Sequence, residues 1–284
     1  MIRRGRSDDW RIEQSRYDSA GANELAAARA HGLARGGVDL APEFRAPYKV
    51  YDAWIRKGVR PGDIVLELGS GSGRHTVTLT ESGAFVVALD VSLTSLQACS
   101  VRTAGLSVPV CGNIERLPLA DSTVDVVACA GSLSYGEPSR VNGEVFRVLR
   151  PGGSLILVDS LNHNAAYRLN RWIHYRRGDR TASTLERMPT VARISDLVAN
   201  FDEFSFYTHG SYLYLQPILK RILGEDRALR FDAALESRWP SKRGAFKFVV
   251  WARGYRGEVG SRSLSTGGSG DRRDSPPSNE RDGR

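Results

Sequence analysis

Cysteine is scarce in this chain of 284 residues: Cys99, Cys111 and Cys129 are an odd number, and none has the close spacing of a metal knuckle. Neither a disulfide framework nor a structural zinc site is indicated, no metal ligand is assigned, and a reducing, cytosolic compartment is the expectation. Long apolar runs are lacking too. No window approaches the roughly 18 consecutive apolar residues that a membrane-crossing helix needs, and the start, Met1 to Arg16, has no apolar stretch behind its arginines. Spanning a membrane and secretion are therefore not expected. The excess of one charge sign is modest, with 40 Lys plus Arg against 32 Asp plus Glu, a net +8. Such a balance suits phosphates, acidic substrates or an anionic membrane face, depending on where the charge sits.

What is present is a globular composition, 41% hydrophobic and 25% charged, able to bury a full core. Residues 1–45 contain the helix-forming run Asn23 to Ala30, and Tyr48 to Val59 puts Val50, Tyr51, Trp54 and Ile55 on one helical face. Residues 1–45 are read as a helical cap, 46–255 as the main domain with a lid insertion over 161–200, and 256–284 as a disordered tail. Between Gly257 and Arg284 the tail holds five Arg against five acidic residues and almost nothing apolar, so it cannot offset its ordering entropy.

From Pro61 onward strands and helices alternate. Ile64 to Leu68, Phe85 to Leu89, Val108 to Cys111, Val124 to Cys129 and Ser154 to Val158 read as strands. Helices are expected over Arg74 to Ser82, Leu93 to Ala104 and Ser139 to Leu149. Short apolar strands separated by helices imply an α/β fold, a doubly wound parallel sheet covered on both faces. Phe204 to Thr208 and Ala245 to Ala252 supply further strands around a helix from Tyr212 to Leu223. No internal repeat is visible.

The first strand runs into Glu67-Leu-Gly69-Ser70-Gly71-Ser-Gly73, a glycine-rich turn opening a helix at the edge where doubly wound sheets bind ligands. A phosphate-binding P-loop would need Lys-Ser/Thr where Arg74-His75 stand, and a dinucleotide fingerprint would need glycine at 74. Neither fits. Glu67 would repel the phosphates of a dinucleotide but suits a ligand with an ammonium group. Asp90, ending strand two, can accept from both hydroxyls of an unmodified ribose. Asn113 can pair with the exocyclic amine of an adenine while Ile114 packs on its ring. His75 is read as fixing the glycine loop rather than touching substrate.

These segments, together with Asn113 to Val127 and Val148-Leu-Arg-Pro151-Gly152-Gly153-Ser-Leu-Ile-Leu, resemble the class I S-adenosylmethionine-dependent methyltransferases over about Asp63 to Asp159. The resemblance implies a Rossmann-like, seven-stranded, mostly parallel sheet with its last strand antiparallel. It also implies S-adenosyl-L-methionine as cofactor, held by Glu67, Gly69, Ser70, Gly71, Gly73, Asp90, Val91, Asn113, Ile114 and Ala130. The third-motif position, usually Asp in that family, is Asn113 here.

A sulfonium methyl is already activated, so such an enzyme works mainly by aligning its acceptor, with general-base help worth roughly 10²- to 10⁴-fold. The edge after strand four lacks the Asn/Asp-Pro-Pro-Tyr/Phe motif of many amine and nucleobase methylases, so nucleic acid is not the expected partner. Tyr135 on that edge is a candidate acceptor contact. From Leu161 to Thr184 five Arg stand against one Asp, half of the net +8. Leu169, Trp172 and Ile173 form an apolar stripe flanked by Arg168, Arg171 and Arg176, which describes a basic lid helix. Arg168, Arg171 and Trp172 are candidate substrate contacts, and peripheral contact with anionic lipid is an alternative role for the lid. His163, His174 and Asp159 are the candidate bases.

The carboxyl-terminal segments Arg187 to Asp196, Tyr212 to Leu219 and Ala245 to Ala252 are loosely similar to methyltransferases of polysaccharide assembly. The resulting expectation is O-methylation of a polar small molecule or glycan hydroxyl, with an anionic acceptor. The alternatives are a quinone, lipid or natural-product acceptor, and a ligand- or nucleic-acid-binding module on the same fold. No motif specifies an oligomeric state.

Overall fold

The computed structural model describes residues 9–31, 44–176, 182–239, 241 and 244–257. Its strands are β1 (Ile64–Leu68), β2 (Phe85–Asp90), β3 (Ser107–Cys111), β4 (Val124–Ala130), β5 (Leu149–Ser160), β6 (Phe201–His209) and β7 (Lys247–Tyr255). They form one seven-stranded sheet in the order β3-β2-β1-β4-β5-β7-β6. The strands β1 to β5 pair in parallel, and β7 runs antiparallel between β5 and β6.

The helices are α1 (Asp9–His31), α2 (Ala46–Gly58), α3 (Thr76–Glu81), α4 (Leu93–Arg102) and α5 (Pro138–Val148). After β5 come α6 (Ala165–Arg176), α7 (Ala182–Glu186) and α8 (Val191–Val198), and between β6 and β7 lie α9 (Gln216–Leu223) and α10 (Glu225–Arg238). Ser92 Oγ caps α4 by accepting from Ser95 N, and Thr190 Oγ1 caps α8 by accepting from Arg193 N.

The alternation of side chains along each strand divides the continuous apolar runs into two cores. Leu66, Leu68, Val87, Leu89, Val127, Leu155 and Leu157 face one side, under Val141, Val145 and Val148 of α5 and Ile194 and Leu197 of α8. Val65, Val86, Val126, Ile156 and Val249 face the other, under Tyr51, Trp54 and Ile55 of α2. Each fully buried aliphatic side chain in these layers contributes about 1.5–3 kcal/mol.

The expected single helix over Tyr212 to Leu223 is a 3-10 turn, Leu213–Leu215, followed by α9. Pro217 accounts for the break, because proline fits a helix's first turn and not its interior. The insertion read as one lid helix holds α6, α7 and α8, and α10 was not expected at all. The cap is represented by α1, which packs on α4, and the rest of the cap before α2, residues 1–8 and 32–43, lies outside the described residues, as does the tail from 258 onward. Among the described residues no helix is long and apolar enough to cross a membrane.

Candidate functional site

The carboxyl ends of β1, β2 and β4 border a cavity of about 380 Å³. The glycine loop forms its floor, with the amides of Gly69 and Ser70 both donating to Leu89 O at 2.8 and 3.0 Å. Gly69 has φ +68, and a Cβ there would lie 2.0 Å from Ser132 Oγ, so no other residue fits between the loop and the turn after β4. Gly71 is open: with φ +52, its Cβ would meet nothing within 4 Å, which leaves room for a ligand against the backbone.

Of the residues expected to hold a cofactor, Gly69, Ser70, Gly71, Asp90, Val91, Asn113, Ile114 and Ala130 line this cavity. Asp90 ties loop to sheet: Oδ2 accepts from Gly71 N at 2.8 Å and Oδ1 from Ser92 N at 2.9 Å. Burial pushes its pKa up against those backbone bonds. Each carboxylate oxygen retains accepting capacity for a hydroxyl. Asn113 Oδ1 accepts from Glu115 N at 2.8 Å and keeps a second lone pair for an exocyclic amine, while its NH₂ can donate to a ring nitrogen.

Glu67 and Gly73 do not line the cavity. Glu67 lies beneath the loop, 2% exposed, and accepts from Thr76 Oγ1. Burial raises its pKa to about 8, with the nearby Asp90 and Asp52 adding to the rise. Gly73 instead packs on Cys99, whose Sγ would lie 2.8 Å from a Cβ there.

The remaining walls come from segments far apart in the chain. Tyr17 of α1 donates to the Tyr135 hydroxyl at 2.6 Å, and Arg16 Nη2 donates to the same oxygen at 3.1 Å. The rings of Tyr17 and Tyr135 meet edge to face, 5.6 Å between centroids. Gln14 Nε2 donates to Val91 O, Ser92 Oγ donates to Asp18 Oδ1, and Glu24 pairs with Arg74 and Arg102 at 3.0 and 3.1 Å. This polar stitching places α1 across the cavity. On the far side His75 lines the cavity, its Nδ1 lying 3.0 Å from Asp52 Oδ1 and its ring stacked on Tyr48 at 5.1 Å.

The candidate bases named from sequence fall elsewhere. His163 is outside the cavity lining and its Nε2 accepts from Val191 N at 3.0 Å, so it supports the start of α8. Asp159 is buried below the cavity, accepting from Leu133 N and Ser160 N through its two oxygens. It orders the turn after β4 and is not a lining residue. Arg168 and Trp172 are exposed on α6 and do not line this cavity, with Arg176 lying over the Trp172 ring at 5.2 Å. The side chains of His174 and Arg171 lie outside what is described. Tyr135 does line the cavity.

Sequence reasoning missed Glu13, Tyr17, Tyr48, Ser132, Thr184 and Arg187, all on the wall. Ser132 and Tyr48 stood in segments already singled out, and a search for polar residues at the strand-four edge would have found the first. No periodic signal marks Tyr17, because α1 has no continuous apolar stripe and is held by polar contacts.

Residues 66–157 match the protein family described as "Methyltransferase domain". That segment, about a third of the chain, is similar to methyltransferase domains. The match begins within β1 and ends within β5, so α1, α2 and everything after β5 lie outside it. A demethylmenaquinone methyltransferase of Corynebacterium urealyticum is 39% identical over 109 residues, 37% of this chain and 44% of that protein. The chain thus spans less than half the length of this curated relative.

Two solved structures share the fold. One is a chain of the complex between the Haloferax volcanii Trm112 methyltransferase activator and a methyltransferase, with TM-score 0.56, 19% identity, and coverage of 84% of this chain and 97% of that one. The other is the geranyl diphosphate C-methyltransferase of Streptomyces coelicolor A3(2), bound to Mg²⁺, geranyl-S-thiolodiphosphate and S-adenosyl-L-homocysteine. It has TM-score 0.54, 16% identity, and coverage of 85% and 97%. The residues of the matched segment would suit an adenosyl nucleoside: an open cradle at Gly71, an acid at the end of β2, and apolar Ile114 beside Asn113.

Proposed function

We propose that the chain transfers the methyl group of S-adenosylmethionine to a small acceptor with a flat aromatic or quinol-like ring. The observation that carries this reading is the pairing of an aromatic wall with a candidate base on one cavity. Tyr17, Tyr48 and Tyr135 supply the rings, and His75 supplies the base. A relative named as a demethylmenaquinone methyltransferase supports the same acceptor class.

The bound cofactor supplies an electrophilic methyl on a sulfonium. The chain's residues do the rest. Gly69, Gly71 and Asp90 hold and orient the donor, α1 excludes water from above, and the tyrosine rings align the acceptor. Asp52 accepts from Nδ1 of His75, which leaves Nε2 as the basic nitrogen able to take a proton from an acceptor hydroxyl or ring carbon acid. The basic helix α6 no longer favours an anionic glycan acceptor, because Arg168 lies exposed away from the cavity.

The test is incubation with methyl-labelled S-adenosylmethionine and a panel comprising a reduced naphthoquinone lacking the ring methyl, oligosaccharides and lipid extract. Label in the naphthoquinol, with His75→Gln lowering kcat about 10²- to 10⁴-fold and leaving donor affinity intact, is the expected result. Label confined to oligosaccharide would overturn the acceptor class, and undiminished turnover by His75→Gln would remove the base.

A further inference from the structure

Among the described residues, large apolar side chains lie exposed on helices outside the cavity. On α9, Ile218 and Ile222 are exposed, Ile222 by 72%, and on α6 Leu169 and Trp172 are exposed as well. Phe231 on α10 and Trp239 after it, the latter 62% exposed, extend the apolar character. Ile218, Ile222 and Phe231 lie on α9 and α10, which pack on each other, and large apolar side chains gathered in this way mark interaction surfaces more than scattered single ones do.

Their placement follows from the sheet. Ser160 at the end of β5 and His209 at the end of β6 both pair with Lys247 at the start of β7. The segments leaving β5 and β6, which become α6 and α9, therefore emerge at one edge. Ala130 at the end of β4 pairs with Val158, so this is also the edge that bears the cavity. Asn164, just before α6, donates to Gly244 O, just before β7, and links the two insertions there.

The charge on these helices selects the partner. The helices α6 and α9 hold Arg168, Arg171, Arg176, Lys220 and Arg221 and no acidic residue, whereas α10 mixes Glu225, Asp226, Asp232 and Glu236 with Arg227, Arg230 and Arg238. Lys220 pairs with Glu225 at 3.2 Å, so the positive excess lies on α6 and at Arg221. Exposed isoleucine and tryptophan beside arginine and lysine, on helices too short to cross a bilayer, is the make-up of a segment that lies in a lipid interface. We infer that the surface of α6 and α9 docks on an anionic phospholipid bilayer, so that the edge of the sheet bearing the cavity faces the membrane. Trp172 and Ile222 enter the headgroup boundary while Arg168, Arg176 and Arg221 meet the phosphates. This docking goes beyond the proposed reaction and does not depend on it.

The experiment is co-sedimentation of the full chain with vesicles of phosphatidylcholine alone and of phosphatidylcholine mixed two to one with phosphatidylglycerol, read without any turnover. The expected result is partition at least about tenfold in favour of the anionic vesicles, weakened by high salt. The Ile218→Glu/Ile222→Glu variant should lose it while keeping its S-adenosylhomocysteine affinity and melting temperature. Arg221→Glu, which leaves the apolar face in place, should lower the preference for anionic vesicles should the double variant fold poorly. Equal partition on both vesicles, or none, overturns the proposal. So does a dimer in velocity sedimentation that the same substitutions split, since a second copy would then be what covers the face. Donor binding is measured separately, so a failure of docking and a failure of methyl transfer are distinguishable.

Discussion

The hydroxyl of Tyr17 donates to that of Tyr135 across 2.6 Å and 118 positions of sequence, joining α1 to the turn after β4. Both residues line the cavity, so the bond sets how firmly α1 covers it. Tyr17→Phe removes the donor but leaves Arg16 bonded to Tyr135. A bond of this kind is worth about 0.5–1.5 kcal/mol, so S-adenosylhomocysteine affinity should fall roughly two- to tenfold by calorimetry. Unchanged affinity together with unchanged amide exchange along α1 would show that the helix is held by its other contacts.

Buried beneath the glycine loop, Glu67 would link the binding of a cationic ligand to protons. Its pKa of about 8, raised by burial, keeps it largely protonated near neutrality in the free protein. A cofactor ammonium arriving near it favours the carboxylate and should release a proton. Calorimetry near pH 7 in buffers of different ionisation enthalpy should register that release, and Glu67→Gln should abolish it.

The same group shapes stability against pH. Its folded pKa of about 8 lies above the ordinary 4.5, so the folded state binds more protons between those values. This contribution is fully present below about pH 4.5 and is lost as pH rises through about 8. The melting temperature of the parent relative to Glu67→Gln should therefore decline from about pH 6 to about pH 9. A difference that stays flat would mean that Glu67 is already ionised in the fold.

Gly69→Ala should be costly for a reason specific to one neighbour. The added carbon would lie 2.0 Å from Ser132 Oγ, at a backbone φ of +68. The conformational part alone costs about 1–2 kcal/mol. Gly69→Ala/Ser132→Gly should recover part of the loss in chemical denaturation, because the collision disappears and the φ penalty remains. No recovery would place the cost elsewhere in the loop.

Asp90→Ala leaves the amides of Gly71 and Ser92 without their acceptor. The abandoned Ser92 donor, which is buried, costs about 1–3 kcal/mol and the part-buried Gly71 donor less, and a ribose would lose its partner as well. Donor affinity should fall at least about tenfold, with a lower melting temperature in the free protein. Retained affinity at reduced stability would confine Asp90 to a structural role.

The sheet from β1 to β5 was legible because its information is local. Ile64 to Leu68 reads as a strand from its own residues, the glycines after it demand a turn, and Asp90 stands at the end of the next strand. The acceptor side was not legible. His163 and Asp159 looked like bases in the chain, but backbone amides of Val191, Leu133 and Ser160 occupy them. Tyr17, conversely, carries no periodic mark and reaches the cavity only because Gln14, Asp18 and Glu24 bind α1 to the ends of other elements.

By itself the sequence determined the strand-turn-helix that floors the cavity, since backbone torsion, glycine and alternating burial act within a few residues of one another. The tertiary structure alone decided which polar groups remain available at the cavity. A hydrogen-bonding side chain is open to a ligand only if the fold has brought it no nearer partner, and those partners come from anywhere in the chain.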